Sequence, residues 1–280
     1  MSMFSLVAVS AELAEWLVAI ESGGADAVHQ ARIRVRRLRS ILSVDRRAFE
    51  KNEAKRLRRR LGVLGSQLGT ARDLEVRADA LAALIADAET GADADPLDQA
   101  TVDAVATFSA DARAAHAAAV TALVGELHGR AHRQLLADVV AFAANPPLSA
   151  RGAEHPRRTA RKALAKAGVR VLEQDGDTLE ERHAARKAAR RLRYAAEAVT
   201  DTFGRDAVRV AAAAEALQNA LGDHRDLVLL ATHLRQKAED AAIAPEAEAG
   251  IARIADRCDE RAEEHLAGLD DLADAVARAL

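Results

Sequence analysis

The sequence predicts an all-α protein made of two related halves, each of four helices. Three observations carry that expectation. The hydrophobic fraction is 50% and comes largely from alanine, while the chain holds five prolines and only 2% aromatic residues, a composition that favours helix. No stretch shows the alternating, β-branched pattern of a strand. Two separate blocks of sequence also recur, in the same order and at nearly the same spacing.

The recurrence sets the organisation. HQARIRVRRLRS at 29–40 aligns with HAARKAARRLRY at 183–194, placing His29 over His183, Arg32 over Arg186, Arg36 over Arg190, Arg37 over Arg191 and Arg39 over Arg193, all at an offset of 154. LGTARDLEV at 68–76 aligns with LGDHRDLVL at 221–229 at an offset of 153. The first half therefore runs over about 11–128 and the second over about 160–280. A connecting helix near 130–144 and a linker marked by Pro146, Pro147, Gly152 and Pro156 fill 129–159.

The elements follow from this frame. MSMFSLVAVSAELAEWLVAI is apolar, but it has no basic n-region and carries Glu12 and Glu15; it reads as an amphipathic helix near 10–21 and not as a signal peptide. The four helices of the first half are expected at 26–47, 51–68, 71–90 and 97–127. Their counterparts are expected at 178–202, 205–221, 224–240 and 246–278, preceded by a short helix at 157–173. The breaks are placed at Gly23-Gly24, Gly69, Gly91 with Pro96, Gly176, Gly204, Gly222 and Pro245. No run of 18 or more apolar residues is present, so no transmembrane helix is expected. The single cysteine, Cys258, has no internal partner, which points to a reducing compartment and hence the cytoplasm.

Charge is segregated along a chain whose formal net charge is only −3. Residues 29–60 hold thirteen Lys or Arg against Asp45, Glu50 and Glu53, whereas 73–103 hold nine acids against Arg77. Such sorting implies a basic surface facing an anion. On a helical projection of 26–43, Val28, Ala31, Val35, Leu38 and Leu42 form an apolar seam. His29, Arg32, Arg36 and Arg39 each follow a seam residue and make a second stripe about 15 Å long. The second copy places Ala185, Ala189, Leu192 and Ala196 beside His183, Arg186, Arg190 and Arg193, with Lys187 and Tyr194 on the same side.

An arginine-rich stripe is ordinarily a solvated helix face. Here no acid occurs within 29–43 or 182–193, so neither stripe can neutralise itself between successive turns. The compensating group expected is phosphate, which the forked donors of arginine match.

VHQARIRVRRLRSIL, LGTARDLEV, ERHAARKAARRLRYAAEAV and LQNALGDHRDLVLL together resemble the paired signatures of the CHAD domain, the histidine-bearing α-helical domain, over nearly the whole chain. The resemblance implies two pseudo-symmetric helical bundles, a basic central groove or pore, and non-catalytic binding of inorganic polyphosphate, in association with polyphosphate granules. The family's basic positions carry over to His29, Arg32, Arg36, Arg37 and Arg39, and to His183, Arg186, Lys187, Arg190, Arg191, Arg193 and Tyr194. A CYTH triphosphatase domain often accompanies this family, but no ExExK motif is present and that activity is not expected here.

Further members of the site are expected at Arg56 and its aligned Arg209, and at Arg72 and Arg225. Arg58, Arg59 and Arg60 read either as a one-sided extension of the basic surface or as a soluble outer face. Asp73 and Asp226 are expected to be structural, orienting arginines or starting a helix after glycine.

No metal or cofactor is expected. His128 and His132 lack the glutamate of HExxH, and no P-loop, GxSxG elbow or Cys/His nucleophile pair is found. The alternative partner is a nucleic acid held by the same stripes. With Trp16, Tyr194 and five Phe as the whole aromatic stock, platforms for base stacking are scarce.

Overall fold

The computed structural model describes residues 3–44, 48–89, 97–150, 154–174, 176–240 and 243–280. The elements are α1 (Met3–Glu21), α2 (Ala27–Val44), α3 (Lys51–Glu89), α4 (Gln99–Leu127), α5 (Arg130–Ala144), α6 (Pro156–Leu172), α7 (Leu179–Ala198), the single turn α8 (Thr200–Phe203), α9 (Arg205–Asp240), α10 (Pro245–Glu264) and α11 (Leu269–Ala279). No strand occurs among the described residues, only an isolated bridge between Phe49 and Leu148. No helix among them is long and apolar enough to cross a membrane.

Two of the expected breaks are absent. α3 runs through Gly69 and α9 through Gly222, and neither glycine has the positive φ that ends a helix. A lone glycine costs only about 1 kcal/mol inside a helix. Leu64, Leu68 and Ala71 on one side of the sequence alignment, and Leu217 and Leu221 on the other, are buried and offset that cost. Asp73 and Asp226 are consequently mid-helix and start nothing. The opposite error falls at the end of the chain, where Gly268 adopts φ 78° and separates α10 from α11 within the helix expected at 246–278. Gly91, Pro96 and Gly152 lie outside the described residues.

The chain divides into two compact units, and each draws on both sequence halves. The first comprises residues 1–69, 122–219 and 269–280; the second comprises 70–121 and 220–268. In the first, α2 packs on α1, α6 and α7, α1 on α5, and α6 on α7 and α11. The expected α2 seam is buried throughout, as are Ala189, Leu192 and Ala196 of α7. The turn before α3 is tied to the one after α5 by Glu50 N–H donating to Pro147 O and Ser149 N–H to Ala48 O, both at 2.8 Å. Phe49 and Phe142 of the same two segments meet with their rings tilted, centroids 5.3 Å apart.

The second unit is a four-helix core. Ala78 and Leu81 of α3, Val105, Phe108 and Ala112 of α4, Leu230, Ala231 and Leu234 of α9, and Ile251, Ile254 and Cys258 of α10 form one buried cluster. α4 and α10 approach closely at Gly250, where a β-carbon would collide with the side chain of Thr101.

Candidate functional site

The seam that buries α2 leaves Arg36 and Arg37 facing α7, while Arg34 turns to α1 and Arg32 and Arg39 lie against α3. α7 itself is fixed at its start by a capping box: Glu181 N–H donates to Thr178 Oγ1 at 3.2 Å and Thr178 N–H to Glu181 Oε2 at 3.0 Å. The cap holds the Glu181 carboxyl below the usual range through the hydroxyl and backbone donors of Thr178, and keeps that carboxylate away from the arginines further along the helix.

Arg36 of α2 and Arg190 of α7 come together, with Arg32 and Arg186 as charged neighbours. Burial is the main cause that lowers the Arg36 pKa, and the charges of Arg32, Arg186 and Arg193 add to it against an opposing contribution from Tyr194. Arg190 is lowered to about 10, first by burial and then by the charges of Arg36 and Arg186. Arg36, Arg186 and Arg190 have no carboxylate partner among the described residues, and the Nε atoms of Arg36 and Arg186 are buried without a hydrogen bond. Four guanidiniums are thus held side by side against their mutual repulsion.

Tyr194 forms the floor of this cluster. It is 4% exposed, and its ring lies beneath Arg36 at 6.0 Å and Arg193 at 5.6 Å. His29, His183 and Lys187 are half-buried along the same helices, whereas Arg191 is exposed; both histidines are engaged by neighbours.

The remaining arginines of the two stripes differ in their company. Arg193 donates to Glu197 at 2.8 Å and pairs with Glu215 of α9 at 2.9 Å. Burial works against its charge, but the Glu197 hydrogen bond and the two carboxylates prevail and raise its pKa. Arg37 approaches the same Glu197 at 3.8 Å. Arg39 lies across α3 at Gly62 and Gly65, its guanidinium carbon 3.6 Å from where a β-carbon of Gly62 would stand, and Arg32 lies likewise at Gly69.

Four expected site residues pair with carboxylates of their own helices. Arg56 pairs with Glu53 at 2.9 Å and Arg209 with Asp206 at 2.9 Å. Each is an exposed ion pair one turn into its helix, at aligned positions, so a local pairing accounts for the repetition of these two arginines. Arg56 faces a pocket shared with Asp138, Phe142 and Pro147 beside α5. Arg72 and Arg225 belong to the second unit, where they pair with Glu75 at 2.9 Å and Asp226 at 3.8 Å. Among the described residues no cluster of His, Cys, Asp or Glu could hold a metal ion.

The two readings left open for the arginines of α3 divide between Arg58 and Arg60, and one basic feature, on α6, escaped the sequence reading. Arg58 turns to α2 and donates to Ser43 Oγ at 3.3 Å, continuing the α2 stripe by one turn, whereas Arg60 turns away and pairs with Asp138. α6 carries Arg157, Arg158, Arg161, Lys162, Lys166 and Arg170 without an acid, and all six are exposed. The acid-free run from 155 to 172 was the available signal.

A family model, the CHAD domain, matches residues 7–235. Two Mycobacterium tuberculosis relatives, the uncharacterized proteins MT2285 of strain CDC 1551 / Oshkosh and Rv2226 of strain H37Rv, are 32% identical over 279 residues. The alignments take in 92% of this chain and 51% of each relative, so the chain spans about half the length of the curated relatives it matches. Among solved structures, PptA from Streptomyces chartreusis superposes with a TM-score of 0.71 at 18% identity, covering 98% of this chain and 95% of that one. The CHAD domain from the plant Ricinus communis gives 0.68 at 22% identity, covering 97% and 89%. At such identities the likeness shows the fold.

Proposed function

The chain belongs to the CHAD-domain family, and from that premise we propose that it binds inorganic polyphosphate along the arginine row of α2 and α7, in a groove between them, without acting on it chemically. The family is linked to polyphosphate binding in general. The observation that carries the reading for this chain is the cluster of Arg36, Arg186 and Arg190, held partly buried with no carboxylate among the described residues. The charges of Arg36 and Arg190 are disfavoured by burial and by their neighbours. A chain of phosphates supplies the opposite charge and the acceptors for the idle Nε–H groups.

Tyr194 favours polyphosphate over a nucleic acid. It is the single tyrosine in the sequence, and with its ring buried beneath two guanidiniums it offers no face for a base to stack on. A polymer of phosphate alone needs no such face. The exposed cations of α6 extend the positive surface for longer chains.

Equilibrium binding of long-chain polyphosphate, single-stranded DNA and double-stranded DNA across a salt series tests the proposal. Polyphosphate is expected to bind most tightly, with an affinity that falls steeply as salt rises through counterion release. The double reversal Arg36→Glu with Arg190→Glu should abolish binding while circular dichroism shows unchanged helix content. Equal or tighter DNA binding, or no polyphosphate binding at low salt, would overturn the reading.

A further inference from the structure

The last arginines of the two repeated stripes keep different company. Arg193 sits between two carboxylates, Glu197 at 2.8 Å on its own helix and Glu215 at 2.9 Å on α9. Arg39, its counterpart in the sequence register, has no carboxylate partner among the described residues. Where the register sets Glu197, the first half has Ser43; where it sets Glu215, the first half has Gly62. Gly62 gives Arg39 a bare stretch of α3 to lie across, and Ser43 receives another cation, Arg58.

From this contrast we infer that Glu197 and Glu215 are an internal stopper that occupies Arg193, so that a bound polyanion engages Arg39, Arg36 and Arg190 and leaves Arg193 to its carboxylates. The inference rests on the polyphosphate reading of the same site and divides its arginines into those open to ligand and one already engaged. A carboxylate and a phosphate compete for one guanidinium because both present paired oxygens to the same fork of donors.

The two carboxylates have different duties. Glu197 is 23% exposed and also faces Arg37 of α2, so it ties α2 to α7. Glu215 is 45% exposed and, among the described residues, pairs with Arg193 alone, which makes it the group whose removal frees Arg193.

Glu215→Gln keeps the shape of the side chain and removes its charge. Binding of a polyphosphate of defined length, measured at several salt concentrations, is compared for the parent protein, Glu215→Gln, Arg39→Gln, Arg193→Gln and the double variant Glu215→Gln with Arg193→Gln. Thermal melts establish that each is folded.

Arg39→Gln is expected to weaken binding about tenfold, as loss of a charged hydrogen-bonding contact does, and Arg193→Gln less than about twofold. Glu215→Gln should tighten binding about three- to tenfold and steepen the salt dependence by roughly one phosphate contact. The gain should vanish in the double variant. If Arg193→Gln costs as much as Arg39→Gln, or if Glu215→Gln leaves affinity unchanged or lower, the stopper is wrong while the polyphosphate reading stands. Failure of the parent protein to bind overturns the reading beneath it.

Discussion

Arg190 bears a cost in the free protein that an apolar side chain of similar reach would not. Its pKa lies at about 10, well below the ordinary arginine range, which amounts to about 3 kcal/mol of disfavoured charge at neutral pH. That cost is fully present below pH 10 and fades as the pH rises from there toward the ordinary arginine range, because the unfolded chain then binds more protons than the folded one. Arg190→Met should therefore raise the melting temperature of the free protein by about 2–6 °C at low salt. It should also remove most of the stabilisation that polyphosphate confers on the parent, and melting curves with and without polyphosphate measure both effects. A lowered melting temperature would mean that the guanidinium holds the fold together. Affinity should fall between about pH 9 and 10.5 as Arg190 loses its proton, and fall less in Arg190→Gln.

At the scale of elements, the apolar positions were legible because helical periodicity is a local property. Every residue of the α2 seam is buried, and the flanking arginines lie beside it as projected. What periodicity could not supply was the company each arginine keeps. Arg193 meets Glu215 from another helix, Arg34 meets Glu12 from α1 at 2.9 Å, and Arg58 and Arg60, two positions apart, turn to different neighbours. Repetition likewise marked Arg56 and Arg209, but their repeated feature is an exposed ion pair. The glycines show the same division between local and tertiary causes. Gly250→Ala drives a methyl into Thr101 and should destabilise the second unit by about 1–3 kcal/mol, seen as faster amide exchange across α4 and α10. Gly62→Ala meets only ordinary contact and should stabilise α3 by about 0.5–1 kcal/mol. The ordering of the two in urea melts is the check.

For the whole molecule, a net charge of −3 conceals a row of arginines, an outer helix of six exposed cations and an acid-rich stretch over 73–103. Sorting of this kind lets a protein stay soluble while attracting a polyanion to one part of its surface. Reversal of Arg158, Lys162 and Lys166 to Glu should leave the affinity for a chain short enough to fill only the row within about twofold. It should weaken a long chain severalfold and reduce its salt dependence by about three contacts; equal loss for both lengths would assign α6 to general attraction alone. The singular placement of Tyr194 has a practical corollary. One chromophore of its kind in 280 residues, lying under Arg36 and Arg193, means that the tyrosine contribution to the near-ultraviolet spectrum comes from the cluster, so the arrival of a ligand can be followed optically in the unlabelled protein once the overlapping band of Trp16 is removed by Trp16→Phe.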